Sequence, residues 1–170
     1  RVYLVMEMVE GRSLSEWIHE GPLSERAVRA LGARIASGLA AAHRCGVVHR
    51  DLSPDNILIA EDRPDQAKLI DFGIAKILET GDRTVVTGFK GKLSYASPEQ
   101  VAGDQPVTTA TDVWSWATSV LHMFVGVVAW PAGPKAAIAL HRYMQSGPAK
   151  PLDVANRPTP IAARRTPEQN

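Results

Sequence analysis

Two carboxylates and one carboxamide stand out by the company they keep. Asp51 and Asn56 share the run His49-Arg50-Asp51-Leu52-Ser53-Pro54-Asp55-Asn56, and Asp71 opens Asp71-Phe72-Gly73 fifteen positions later. A positioned carboxylate can orient a hydroxyl and accept its proton. Carboxylate and amide oxygens are hard donors, the kind Mg²⁺ takes in ones and twos when phosphates and waters complete its shell. A third element, Ser97-Pro98-Glu99, closes residues 74 to 97, which have no sustained period and contain Thr84, Thr87, Gly88, Gly91, Lys92 and Ser94. Long loops inside compact domains are often functional.

The elements that must hold these residues are legible as patterns. Val2 to Met6 reads as a short buried strand. Ser13 with Glu16 makes a capping box for a short helix through Glu20, with Leu14, Trp17 and Ile18 on its apolar face and Gly21-Pro22 as its stop. Ser24 starts a longer helix, with Ala27, Val28, Leu31, Ile35, Leu39 and Ala42 at helical spacing and an end near Cys45-Gly46. Val47-Val48, Ile57-Leu58-Ile59 and Ala67-Lys68-Leu69-Ile70 then read as strands, so Asp51, Asn56 and Asp71 fall in the loops between them. A hydrophobic helix over about residues 109–126 is followed by a Pro/Gly turn at 130–134 and a weaker helix through about Gln145. The Pro- and Arg-rich residues 147–170 read as a mostly disordered tail, which leaves residues 1–146 as the folded domain.

At 45% hydrophobic and 22% charged residues, the chain can bury one core. A net charge of +1 gives no broad attraction to nucleic acid or to an anionic membrane. The single cysteine, Cys45, cannot close an intrachain disulfide and has no partners at metal-ligand spacing, so the cytoplasm is the expected compartment. The opening apolar run is too short for a signal peptide, and the absence of an initial methionine suggests a cut chain. Val113 to Trp130 is nearly long and apolar enough for a membrane span. The other reading is a buried core helix, favoured because Ser115, Thr118, Ser119 and His122 interrupt the run and Asp112 adjoins it.

Taken in order, the three motifs resemble the catalytic loop, the metal-binding Asp-Phe-Gly and the closing Ala-Pro-Glu of protein kinases of the serine/threonine type. The resemblance runs over about residues 2–145. It implies an α+β, mostly helical fold, the protein-kinase-like large lobe, truncated and without the β-rich small lobe. It implies ATP and Mg²⁺ as cofactors and a protein hydroxyl as acceptor, with Asp51 as the base and Asn56 and Asp71 as metal ligands. By the same resemblance Met6 sits at the back of the adenine pocket, Glu7-Met8-Val9 matches the hinge, and Leu58 matches the pocket floor; for Met6 and Leu58, plain core packing is the other reading. His49 and Phe72 match a packing stack anchored by the aspartate at Asp112. Glu99 matches a glutamate that pairs with a downstream arginine.

The chain departs from the family pattern in places. Where a lysine usually steadies the transferring phosphate, this sequence has Ser53, and where a threonine usually follows the loop glycine, it has Lys92. Either Lys92 supplies the missing charge from the facing loop or it is a solvated lysine. Arg50 beside Asp51 resembles kinases ordered by loop phosphorylation, which makes Thr84 and Thr87 candidate phosphosites or ordinary solvated threonines. The 170 residues contain no Gly-rich phosphate loop and no strand lysine. Two readings follow: a kinase whose large lobe this is, inactive when isolated, or a non-catalytic kinase-like binding or scaffold module.

Overall fold

The computed structural model describes residues 6–72, 93–103 and 105–128, together with 135 and 138. The opening strand at residues 2–5, Gly73, Thr84, Thr87, Lys92 and the tail 147–170 lie outside the described residues; Lys135 and Ile138 are helical.

Three antiparallel strands form a sheet in chain order: β1 (Gly11–Ser13), β2 (Ile57–Ala60) and β3 (Ala67–Leu69). β1 carries no apolar alternation. It forms because Gly11 lets the backbone come close to β2, where a Cβ would lie 2.2 Å from the Ile59 carbonyl oxygen. Its register pairs Ser13 with Leu58, and β2 pairs Leu58 with Lys68, so these three residues share one row.

Helix α1 (Leu14–His19) follows directly and is capped by the expected box, with the Glu16 amide donating to Ser13 Oγ at 3.2 Å and the Ser13 amide to Glu16 at 2.7 Å. Helix α2 (Glu25–Arg44) is capped by Ser24 and buries Val28, Leu31, Ile35 and Leu39 on one face. These join Leu14, Ile18, Leu52, Ile57, Ile59, Ala67 and Met123 in one core. Each of these side chains except Ala67 contributes roughly 1.5–3 kcal/mol by leaving water.

Val47-Val48 is not a strand. Val47 is 44% exposed, and its amide bonds the Ala42 carbonyl at 3.0 Å, so this segment finishes α2 and leads into the catalytic run as an irregular loop. An apolar, β-branched pair is too short to decide between a strand and a helix exit.

Beyond the short α3 (Pro98–Ala102), helix α4 (Thr109–Val125) crosses α2, where the Trp116 indole donates to the Gly32 carbonyl at 2.9 Å. α4 is the core helix of the two sequence readings. Its buried Thr111, Asp112, Ser115 and Ser119 are satisfied internally, for example Ser119 Oγ to the Ser115 carbonyl at 2.7 Å. No helix among the described residues is long and apolar enough to cross a membrane. Gly126 ends α4 with φ +78°, and a Cβ there would lie 2.8 Å from the Pro22 nitrogen.

Candidate active site

The catalytic run leaves α2 over the start of α4, where a single buried carboxylate organises it. Asp112, 1% exposed, accepts the amides of His49 at 2.8 Å and Arg50 at 2.9 Å, and its Oδ2 lies 2.7 Å from His43 Nε2. Three hydrogen bonds offset the cost of taking this carboxylate out of water. They also hold Arg50 at φ +67°, a left-handed conformation that costs a non-glycine residue about 1–3 kcal/mol. From the other side, Gln100 Nε2 of α3 donates to the Arg50 carbonyl at 2.6 Å. The residue before Asp51 is thus gripped at both its amide and its carbonyl.

His49 carries this order toward Asp71. Its Nε2 lies 3.1 Å from the Ile70 carbonyl, and its Nδ1 faces the Asp51 amide at 3.4 Å. A carbonyl only accepts and an amide N–H only donates, so the ring is the neutral tautomer with its proton on Nε2. Burial holds this imidazole below its ordinary value; the neighbouring Asp112 and the Ile70 bond oppose that shift without cancelling it. The ring also packs on Phe72 with centroids 4.5 Å apart. Asp71 therefore sits between two residues that both touch His49, and its φ of +54° is a second strained position.

The β2–β3 hairpin brings Asn56 to the same place. Its register pairs Ile57 with Leu69, and one step further the Ile70 amide donates to the Asn56 carbonyl at 3.0 Å. The Asn56 side chain turns back to Asp51, with Nδ2 2.7 Å from its carbonyl and 3.3 Å from Oδ2. Asp51 and Asn56 of one motif and Asp71 of the next are thus linked through one histidine and one hairpin.

A second group gathers over the outer face of the sheet. Glu7 bonds Lys68, which shares its row with Leu58, so Glu7 is tied over the half-buried Leu58. Met6 is 60% exposed and Met8 86%, so core packing, one of the two readings of Met6, does not hold. Glu99 accepts the Thr111 hydroxyl at 2.7 Å. Burial would raise its carboxyl, but the bonds from Thr111, its own backbone and Ser97 outweigh that and hold it below the usual range. His43 and Gln100 were not legible as site residues, because each acts through a backbone or carboxylate contact across more than forty positions.

Ser53 is 1% exposed and its hydroxyl has no hydrogen-bond partner among the described residues. Lys92, the proposed source of compensating charge, lies outside them. No cluster of three or more His, Cys, Asp or Glu that could hold a metal occurs among the described residues. The available donor set is the hard one of Asn56 and Asp71, which suits Mg²⁺ better than zinc.

The family model described as protein kinase domain matches residues 1–161 of the 170. The chain belongs to the protein kinase family. This kinase domain is 35% identical over 164 residues, 96% of the chain, to a probable serine/threonine-protein kinase of Clostridium acetobutylicum, covering 24% of that protein. It is 38% identical over 141 residues, 82% of the chain, to the serine/threonine-protein kinase PknL of Mycobacterium tuberculosis, covering 35% of it. Among solved structures, Rad53 residues 1–466 in complex with AMP-PNP superposes with a TM-score of 0.62 at 28% identity, over 82% of this chain and 34% of that one. The kinase domain thus spans about a quarter to a third of the length of the curated relatives it matches.

Proposed function

We propose that this chain is the large lobe of an ATP-dependent serine/threonine protein kinase, transferring the terminal phosphoryl group of MgATP to a protein hydroxyl. The observation that carries the reading is the position of His49, which bonds the Ile70 carbonyl, stacks on Phe72 and stands two residues from Asp51. The base and the metal-binding aspartate of the family pattern are thereby parts of one rigid unit.

In this reading Asp51 orients the attacking hydroxyl and accepts its proton as the new oxygen–phosphorus bond forms. Asn56, with its amide nitrogen engaged by Asp51, offers Oδ1 to the cation, and Asp71 offers its carboxylate. Mg²⁺, when bound there, neutralises charge on the phosphate oxygens. The backbone of Glu7 and Met8 reads adenine, Met6 backs the pocket and Leu58 forms its floor. Lys92 supplies the cationic contact that Ser53 does not. Thr84 and Thr87 are the phosphosites that answer Arg50. These 170 residues hold no Gly-rich loop or strand lysine to cradle the phosphates, so tested apart from any longer parent protein they transfer phosphate negligibly.

A second reading, a non-catalytic docking module, is favoured by one observation: the buried, unpartnered Ser53 where a lysine is usual. Incubating the parent protein with MgATP and mixed protein substrates, followed by phosphoamino-acid analysis, separates the two. Phosphoserine and phosphothreonine that vanish in Asp71→Asn support the kinase. Tyrosine phosphorylation, or no transfer at all, overturns it.

A further inference from the structure

Outside the catalytic centre one side-chain pair adds to the Glu99–Thr111 and Tyr95–Ser115 bonds that tie the segment entering α3 to helix α4. The Tyr95 hydroxyl lies 2.7 Å from His122 Nδ1, with ring centroids 6.0 Å apart. Tyr95 is 6% exposed and stands two residues before Ser97, in the segment that enters α3; its carbonyl accepts Ser115 Oγ at 2.8 Å. His122 is in the last turn of α4, and its own carbonyl takes the Gly126 amide at 2.8 Å. The segment fastened by this contact is the one that sends Gln100 to the Arg50 carbonyl beside Asp51.

Among the described residues, the charged surroundings of His122 come from three elements. Asp55, in the turn between Asp51 and Asn56, faces both Tyr95 and His122 electrostatically. It is exposed and makes no hydrogen bond or ion pair with any described residue. Across an open cleft of about 510 Å³ lie Arg12 of β1 and Glu16, His19 and Glu20 around α1. Arg12 is held by Glu20 and Asp62, and Glu16 by Ser13, so among these described groups Asp55 is the carboxylate without an ion pair. Burial holds the His122 imidazole below its ordinary value, with Asp55 opposing, and pushes the Tyr95 phenol up. Tyr95 therefore remains a hydroxyl, able to donate to an unprotonated Nδ1.

We propose that the Tyr95–His122 bond is a proton-operated latch on the segment that positions the catalytic loop, opened when His122 takes a proton and turns its charge to Asp55. A protonated Nδ1 can only donate, so the Tyr95 hydroxyl must turn its proton elsewhere; the imidazolium then either donates back to the phenol oxygen or turns to the Asp55 carboxylate, and the latch is the second course. His122 is here a positioning residue acting through Tyr95 and Gln100. Its effect on turnover rests on the kinase reading; its titration does not.

The test is nitrogen-15 NMR of the histidine rings of the 170-residue chain from about pH 5 to 8. The latch predicts an unprotonated Nδ1 on His122 at neutral pH and titration below the ordinary 6.5. Tyr95→Phe, by removing the donor to the neutral ring, moves that titration upward, and Asp55→Asn moves it further down. A protonated Nδ1 at neutral pH, or a titration indifferent to both variants, overturns the proposal. In the parent kinase, kcat/KM for a protein substrate falls about tenfold per pH unit below the His122 titration, the slope of one ionisation. His122→Gln removes that limb. A limb retained in His122→Gln also overturns the latch, whereas a parent without transfer at any pH overturns the kinase reading and leaves the ring titration to decide the proton switch.

Discussion

Asp112 holds the amide of Arg50 at 2.9 Å across 62 positions of sequence, and so fixes the backbone from which Asp51 projects. The same carboxylate serves the His49 amide and His43. Asp112→Ala strands the buried His49 amide and two part-buried partners, the Arg50 amide and His43, and should cost on the order of 3–5 kcal/mol, read as a lowered urea midpoint. Asp112→Asn keeps one acceptor oxygen and should cost less. Equal losses in the two variants would show that charge, not bond count, holds the loop.

Ser53 makes an opposite prediction. A buried hydroxyl without a partner gains nothing from folding, so Ser53→Ala should leave stability unchanged or raise it by about 1–3 kcal/mol in urea unfolding. A loss above about 1 kcal/mol would reveal a partner beyond the described residues. In the parent kinase Lys92→Ala should depress transfer, and Ser53→Lys combined with Lys92→Thr should restore it. Unaltered transfer in Lys92→Ala would sink the compensating role of Lys92.

Acid should loosen the lobe through His49. Its folded value lies below the unfolded 6.5, so the unfolded chain binds the extra proton more readily. Stability is complete above about pH 6.5, declines as pH falls from there toward the folded value, and levels off beneath it. Urea midpoints measured on His122→Gln, which removes the other described histidine with a lowered value, should fall between pH 7 and about pH 5. A midpoint that rises on acidification contradicts a His49 ring held neutral below its ordinary value.

The helices were legible because their signals are local. Ser13 with Glu16 and Ser24 with a 3.6-residue apolar period state where α1 and α2 begin and which face is buried. The candidate catalytic residues stood out in the sequence because the family motifs that carry them keep a fixed order and spacing. What the sequence concealed is non-local. β1 has no apolar pattern and depends on Gly11 fitting against Ile59, a contact visible only once both strands exist. The left-handed backbone at Arg50 and Asp71 is imposed from outside the loop, by Asp112, Gln100 and His49. Tyr95 and His122, 27 positions apart, carry no sequence sign of their bond.

The most direct test of the account is single-turnover phosphoryl transfer by the parent kinase carrying Asp51→Asn, with MgATP and a saturating protein acceptor. Asparagine keeps the size of Asp51 but cannot take the hydroxyl proton. The account predicts transfer slower by about 10²–10⁴-fold, with nucleotide binding unchanged. Transfer within about twofold of the unaltered protein would contradict Asp51 as the base and, with it, the catalytic reading of this lobe.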